Sequence, residues 1–159
     1  MAEKLATAWR ESQAVRQTMI YLQGFGVSTR MASRIYQHYG YQTISTVQDD
    51  PYTLADDVFG IGFIKADAIG RNMGVAPDDR NRIRAGLAYA LNQLSKEGHV
   101  YAPRAELVQE AARLLGVDNS ARIEAVLSQQ LFSEDLIADS SITADDAIGG
   151  EAIYLPAYH

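Results

Sequence analysis

The chain contains no cysteine, which excludes a disulfide framework and thiolate chemistry. Its three histidines, His38, His99 and His159, are far apart and show no metal-ligand spacing. His99 follows a helix-ending glycine, and the sequence offers it no nucleophile or carboxylate partner. We interpret His99 as a residue that ties a turn by hydrogen bonds, with a catalytic role as the alternative.

Several catalytic motifs are also missing. The phosphate-binding loop G-x-x-x-x-G-K-[ST], the nucleophile elbow and the zinc motif H-E-x-x-H do not occur. The glycine pairs Gly24/Gly26 and Gly60/Gly62 are not dinucleotide fingerprints, because the third glycine is absent and no strand is predicted before them. We therefore expect no enzymatic activity from this chain, no ATP or Mg²⁺ bound by it, and no other cofactor.

Long apolar runs are absent as well. No stretch reaches the roughly 18 apolar residues that a membrane-spanning helix needs. The beginning of the chain lacks the apolar region of a signal peptide. We expect a soluble, cytoplasmic protein without a membrane partner, and a length of 159 residues allows one or two domains.

Negative charge is unevenly distributed along the chain. The formal net charge of −6 argues against a general nucleic-acid binder. Residues 1–75, however, carry seven basic and seven acidic residues, whereas residues 76–159 carry seven basic and thirteen acidic ones. If one half contacts DNA, charge favours the first half. Asp49, Asp50, Asp56 and Asp57 lie close together, but their spacing matches no calcium loop, and two of them stand at a predicted helix start.

One glycine-rich pattern occurs twice at a constant offset. The matching pairs are Gly26 and Gly60, Val27 and Ile61, Ala32 and Ala66, Ile35 and Ile69, and Gly40 and Gly74. Each copy predicts a tight turn that leads into a helix, so the repeat indicates two helical hairpins packed as a pseudo-symmetric pair. Backbone N–H groups at a glycine turn and a helix N-terminus form an anion site.

The two copies differ at one position, where Ser28 replaces Gly62. We expect Gly62 to adopt a positive φ, at which a side chain costs about 1–2 kcal/mol. A Gly62→Val substitution would then lower both stability and DNA binding. On this interpretation the first hairpin is strained at Ser28 or approaches a ligand less closely.

Both segments resemble helix-hairpin-helix motifs, which bind the DNA backbone without reading its sequence. An ordered series of motifs over about residues 5–158 is similar to the N-terminal region of RecD-like superfamily 1 DNA helicases with a long N-terminal extension. The series is Gly26-Val27-Ser28, Ala32, Ile35-Tyr36, Tyr39-Gly40, Asp50-Pro51-Tyr52, Gly60-Ile61-Gly62-Phe63, Ala66-Asp67, Gly98-His99-Val100-Tyr101 and Ile153-Tyr154-Leu155-Pro156.

The resemblance implies a non-catalytic, DNA-backbone-binding accessory region of an ATP-dependent 5′→3′ helicase that acts in DNA repair and recombination. The implied partners are DNA, bound independently of sequence, and the helicase motor domains of the same parent chain, which alone would use ATP and Mg²⁺. In the family, Leu155-Pro156 leads onward to the motor, so we expect this chain to be an excised or truncated region. The alternative is a protein-interaction or regulatory module whose acidic second half docks on the motor or on another partner.

The predicted DNA-binding residues are the backbone amides of both turns together with nearby cations. They are Gly26, Val27, Ser28, Thr29, Arg30, Arg34, Gly60, Ile61, Gly62, Phe63, Ile64, Lys65 and Arg71. Trp9 is interpreted as a core anchor of the first helix. Tyr36, Tyr39 and Tyr41 are interpreted as packing between the hairpins, with base stacking as the alternative.

The predicted fold is mainly α, with a domain boundary near residue 76. Residues 1–75 form an N-terminal helix plus a tandem helix-hairpin-helix, and residues 76–159 form a winged-helix-like unit with a small β-hairpin. The predicted elements are helices 3–22, 42–47, 52–59, 80–96, 104–115 and 120–130, a strand at 100–101, and paired strands at 136–138 and 152–155. A further helix, which Ser28 or Thr29 can cap, is predicted to run to about Tyr39 and to end at Gly40. Winged helices often bind DNA through their third helix, but here that helix offers only Arg122, so we expect a scaffold or protein-contact role.

Overall fold

The computed structural model describes residues 2–96, 102–132, 137–139 and 152–154, and the chain divides into two compact units, residues 1–75 and 76–159. The fold is mainly α, as the helical periodicity predicts. No helix in the described part of the chain is long and apolar enough to cross a bilayer. The helices are α1 (Ala2–Gln23), α2 (Thr29–Tyr39), α3 (Thr43–Asp49), α4 (Thr53–Asp57), α5 (Phe63–Asn72), α6 (Arg80–Lys96), α7 (Arg104–Leu115) and α8 (Ser120–Phe132), and the strands are β1 (Ala102–Pro103), β2 (Ile137–Asp139) and β3 (Ala152–Tyr154).

The first hairpin consists of α1, the turn at residues 24–28, and α2. The N–H of Gly24 donates to the carbonyl of Ile20 at 3.0 Å, and Gly26 adopts a φ of 90°, which reverses the chain. Ser28 is the N-cap of α2, and its Oγ accepts a hydrogen bond from the N–H of Met31 at 3.2 Å. The predicted cap is therefore confirmed, and it satisfies one of the N–H groups that a helix N-terminus leaves without an intrahelical partner.

The second hairpin consists of α4, the turn at residues 58–62, and α5. Asp50 Oδ1 accepts a hydrogen bond from the N–H of Tyr52 at 2.9 Å and so fixes the turn before α4. Tyr52 is fully buried, donates its hydroxyl to Asp67 Oδ1 at 2.6 Å, and stacks on the ring of Phe63 with centroids 5.9 Å apart. These contacts anchor α5 to the segment that precedes α4. Helix α4 spans Thr53–Asp57 and is therefore shorter than the predicted helix 52–59.

The expected positive φ at Gly62 is wrong. Gly62 is the N-cap of α5 with φ −95° and ψ −175°, and the positive φ of this turn, 92°, belongs to Gly60. Ser28 occupies the same place in the first hairpin with φ −68° and ψ 159°, so it is not strained. An N-cap residue takes extended backbone angles that any residue can adopt, and the reversal of the chain occurs two residues earlier.

The aromatic residues of the first unit divide into buried and exposed sets. Tyr39 lies between the hairpins, where its hydroxyl donates to Asp57 Oδ2 at 2.9 Å, and burial together with this hydrogen bond holds the pKa of Tyr39 far above that of an ordinary tyrosine. Tyr41 is 70% exposed, so the packing interpretation is wrong for it. Trp9 is 65% exposed and is not a core anchor, because residues 2–12 of α1 are all exposed.

The second unit contains α6, α7, α8 and a three-stranded antiparallel sheet of order β1-β3-β2. The predicted pairing of β2 with β3 is confirmed, and β1 pairs with the other edge of β3 through Ala102 and Ile153. The buried guanidinium of Arg82 donates to the carbonyls of Pro77 at 2.8 Å and Leu115 at 3.1 Å, which ties α6 to the end of α7. The predicted strand at 100–101, the turn at His99 and the residues 140–151 lie outside the described residues.

We expect Gly60 and Gly62 to respond oppositely to substitution. Gly60→Ala places a Cβ at a positive φ and 2.9 Å from Arg34 Nη1, so it should lower the free energy of unfolding by about 1–2 kcal/mol. Gly62→Ser introduces the cap found at Ser28 and should leave stability unchanged or raise it by at most about 0.5 kcal/mol. Urea unfolding followed by circular dichroism measures both, and equal losses in the two variants would contradict the turn geometry.

A second expectation concerns the contact of α6 with α7. A Cβ on Gly86 would lie 2.6 Å from Cδ2 and 2.9 Å from Cγ of the buried Leu115. Gly86→Ala should therefore destabilise the chain by about 1–3 kcal/mol through overpacking. In a Leu115→Ala background the same substitution should instead stabilise by about 0.5–1 kcal/mol, because only the helix-propensity gain is left. A thermal-unfolding cycle of the four proteins tests this, and a cost of Gly86→Ala that persists without Leu115 would refute it.

Candidate nucleic-acid interface

Each glycine turn of the first unit lies on the second helix of the other hairpin. A Cβ on Gly60 would be 2.9 Å from Nη1 of Arg34 in α2. A Cβ on Gly26 would be 3.5 Å from Nδ2 of Asn72 in α5, and that amide donates to the carbonyl of Phe25 at 2.9 Å. The two turns are therefore held by reciprocal contacts. The approach is close enough to exclude an unshifted Cβ only at Gly60, whereas at Gly26 glycine is favoured by the positive φ of 90°.

A cleft of about 280 Å³ separates the two turns. Buried Val27 and Ile61 contribute apolar surface to it, and Ser28 and Lys65 contribute polar groups. The cleft thus has an apolar surface close to two helix N-termini. Its lining consists of Phe25, Gly26, Val27, Ser28, Met31, Ile61, Lys65, Ala68, Ile69 and Asn72.

The two helix N-termini differ in how they are capped. In the first hairpin, Ser28 Oγ accepts a hydrogen bond from the N–H of Met31, so this N–H is not available to a ligand. Thr29 Oγ1 accepts a hydrogen bond from Gln23 Nε2 at 2.8 Å. In the second hairpin, Gly62 provides no side-chain cap for α5. The first N–H groups of a helix have no intrahelical carbonyl and carry the positive end of the helix dipole. The N-terminus of α5 is therefore the stronger anion site of the two.

Two of the four predicted cations stand at the second turn. The Arg34 guanidinium reaches the turn from α2, and Lys65 Nζ lies 3.5 Å from the carbonyl oxygen of Gly60. Arg30 is exposed one helical turn before Arg34 on α2. Arg71 is exposed in the last turn of α5, about 12 Å along the helix axis from Phe63. The structure thus brings Arg34 and Lys65 together and leaves Arg71 at the opposite end of α5.

The predicted contact residues around the turns fall into two groups. The side chains of Val27, Ile61 and Phe63 are buried, so a ligand that stays outside the cleft contacts these residues through their backbone. Gly62 is open on its outer side, since a Cβ there would meet no atom within 4 Å. Ile64 is exposed beside it. A ligand can therefore approach the backbone at the start of α5 without displacing any side chain.

The sequence analysis does not identify one exposed residue of this turn as part of the site. Phe59 is 91% exposed, although the neighbouring Val58 is buried. It borders a groove of about 330 Å³ that Arg34 also lines. The available signal is an aromatic residue directly before Gly60, but the predicted helix 52–59 includes Phe59. The groove is lined by Arg34, Gln37, His38, Asp57, Val58 and Phe59.

The aspartates near this hairpin make contacts within their own unit. Asp50 accepts from the backbone of Tyr52, and Asp57 accepts from the hydroxyl of Tyr39. Among the described residues, no group of three His, Asp or Glu side chains is placed to hold a metal ion. Asp50 and Asp57 thus contribute hydrogen bonds that shape the second hairpin.

Comparison with known proteins identifies the family of this chain. Residues 11–101 match the family described as the ATP-dependent RecD2 DNA helicase HHH domain. An ATP-dependent RecD2 DNA helicase of Deinococcus radiodurans is 31% identical over an alignment of 159 residues, and this alignment covers 96% of the present chain. This chain spans 22% of the length of that relative. The resemblance to RecD-like helicases is thereby confirmed, and the chain belongs to the helix-hairpin-helix domain family of RecD2 DNA helicases.

Proposed function

We propose that residues 1–75 are a tandem helix-hairpin-helix module that binds the DNA backbone, and that the chain is a non-catalytic accessory region of an ATP-dependent, RecD-like 5′→3′ DNA helicase. The observation that carries this proposal is the second turn. There the N-terminus of α5 has no side-chain cap, and Arg34 and Lys65 stand beside it. Membership in the helicase family supports DNA as the anion.

In this proposal the phosphate oxygens of one strand accept hydrogen bonds from backbone N–H groups at the start of α5. The missing Cβ of Gly62 lets the strand approach the backbone closely. Lys65 and Arg34 supply positive charge on either side of the turn. Because phosphate contacts carry no base information, binding is independent of sequence.

Residues 76–159 are proposed to be a winged-helix-like unit with a scaffold or protein-contact role. Its third helix, α8, carries Arg122 as its only cation, and Arg122 Nε lies 3.4 Å from the carbonyl oxygen of Asp78. Arg104 is engaged within the unit by Glu124 at 2.9 Å and Ser128 at 2.7 Å. These basic groups hold the unit together, and the thirteen acidic residues of this half oppose contact with DNA.

The remaining parts of the proposal concern the parent protein. DNA binding by this chain needs no cofactor, and ATP and Mg²⁺ would serve the motor domains, which are its proposed partners in the same parent chain. The proposed setting is DNA repair and recombination in the cytoplasm.

A second candidate function is protein interaction or regulation. It is favoured by Leu5 and Trp9, which are 73% and 65% exposed on α1 and stand one helical turn apart. Exposed apolar surface of this kind is typical of protein contacts. In this alternative, the chain docks on the motor or on another partner and does not bind DNA.

The salt dependence of binding tests the proposed function. With about two to four phosphates neutralised, the slope of log K against log salt concentration should be about −2 to −4. Lys65→Glu should weaken binding equally on two unrelated oligonucleotides and reduce the slope by about one. Arg122→Glu is the matched control and should have a smaller effect. Fluorescence anisotropy at several salt concentrations measures all three proteins.

Two outcomes of that titration would overturn the assignment. Loss of binding in Arg122→Glu with normal binding in Lys65→Glu would show that the second unit contacts DNA. No binding to single or double strands at low salt would favour the protein-interaction function.

The role of the backbone at the second turn can be tested apart from charge. Gly62→Ser should weaken DNA binding by about two- to tenfold. The serine hydroxyl would accept a hydrogen bond from an N–H at the start of α5, and its Cβ would hinder the approach of the DNA strand. Since the same variant is expected to be as stable as the parent chain, lost binding cannot arise from unfolding. Anisotropy titrations compared with unfolding curves give the answer, and unchanged affinity would place the phosphate elsewhere.

A further inference from the structure

The turn that precedes α5 exposes an aromatic ring. Phe59 is 91% exposed, whereas Val58 before it and Ile61 after Gly60 are buried. A large apolar side chain left in water forgoes about 1.5–3 kcal/mol of burial. Its position one residue before Gly60 puts this ring at the edge of the proposed phosphate site.

The surroundings of Phe59 form a groove of about 330 Å³. This volume falls at the lower end of the range of about 300–1,000 Å³ for small-ligand sites. From α2 come the guanidinium of Arg34, the amide of Gln37 and the imidazole of His38, and Asp57 stands at the end of α4. A planar cation, an amide that both donates and accepts, and an aromatic face are the groups that hold an unstacked base.

The charges distinguish a base from the other possible occupants of the groove. Asp57 lines the groove and would repel a phosphate, whereas it can stand beside an uncharged ring. Arg34, Gln37, His38 and Asp57 bring polar or charged groups beside the apolar ring of Phe59, and this mixture suits a flat base with hydrogen-bonding edges better than an apolar anchor. Arg34 joins the groove to the turn, because its guanidinium also lies against Gly60.

We propose that this groove takes one unpaired nucleobase, stacked on Phe59, from the strand whose phosphates the second turn holds. The inference rests on the proposed function and adds a preference to it: single-stranded DNA, or a duplex with an unpaired base, over continuous duplex. The base is accepted by its ring face, so the preference is for an unpaired state and not for one sequence.

The test uses an oligonucleotide carrying 2-aminopurine, free or within a continuous duplex. The parent chain should bind the single strand about fivefold more tightly than the duplex and should quench the 2-aminopurine fluorescence. Phe59→Ala should lose both the preference and the quenching, and Phe59→Tyr should retain both because its ring still stacks. Tyr41→Ala is the matched control, since Tyr41 is also an exposed aromatic residue but does not line the groove.

The outcomes separate this inference from the proposed function. One outcome is salt-dependent duplex binding together with the same single-strand preference and quenching in Phe59→Ala as in the parent chain. This outcome overturns the base site but is compatible with the backbone site. Phe59 would then be a residue for contact with a protein. Failure of the parent chain to bind either DNA form overturns both proposals. A thermal melt of each variant shows that the fold is retained, as expected for a residue this exposed.

Discussion

The positive φ of Gly60 is the constraint on which the candidate interface depends. It reverses the chain between the buried residues Val58 and Ile61, and it allows the turn to lie against α2. Arg34 Nη1 occupies the space that a side chain at this position would need. One backbone conformation therefore determines where α5 begins and which cation stands beside its N-terminus. The anion site and the packing of the two hairpins are consequences of the same turn, so neither can change without the other.

This arrangement separates the residues that hold the turns from the groups that can contact a ligand. Val27 and Ile61 place their side chains in the core, which fixes the backbone while leaving its polar groups at the surface. The interface thus uses main-chain atoms that every sequence possesses, and glycine is needed only where a Cβ would collide. Such a surface is suited to a repeating phosphate backbone, because no side chain has to match a particular base. In the proposed function, a preference for one state of the DNA would have to come from side chains and not from the backbone amides, and Phe59 is the most exposed large hydrophobic side chain in the described part of the chain.

Local sequence signals predicted the local structure of this chain well. The Ser28 cap, the end of α2 at Gly40 and the limits of α6 and α7 follow from capping and periodicity, which act within a few residues. The assignment of the positive φ to Gly62 is wrong because local turn rules do not distinguish between Gly60 and Gly62, either of which could adopt it. The repeat contains the missing information. Ser28 stands at the position of Gly62 and shows that a Cβ is tolerated there, whereas the position of Gly60 is a glycine, Gly26, in the first copy as well. Contacts between distant segments, such as Arg34 with the second turn, depend on packing that periodicity does not encode.

The negative net charge of the chain is compatible with a DNA interface, because exposed charges act only over a short distance in salt solution. At physiological ionic strength the screening length is about 8 Å, so exposed charges farther away than this would contribute little to the binding of a phosphate at the second turn. Lys65 and Arg34 lie against that turn. Of the nearby acids, Asp57 and Asp67 accept hydrogen bonds from tyrosine hydroxyls of their own unit. The net charge of −6 is therefore a poor guide to local affinity, although it would slow the approach of DNA in the proposed function at low salt, where screening is weak. A short-range site of backbone amides within an acidic chain would bind only when the strand is already close, which is compatible with the proposed role beside a motor that holds the same DNA.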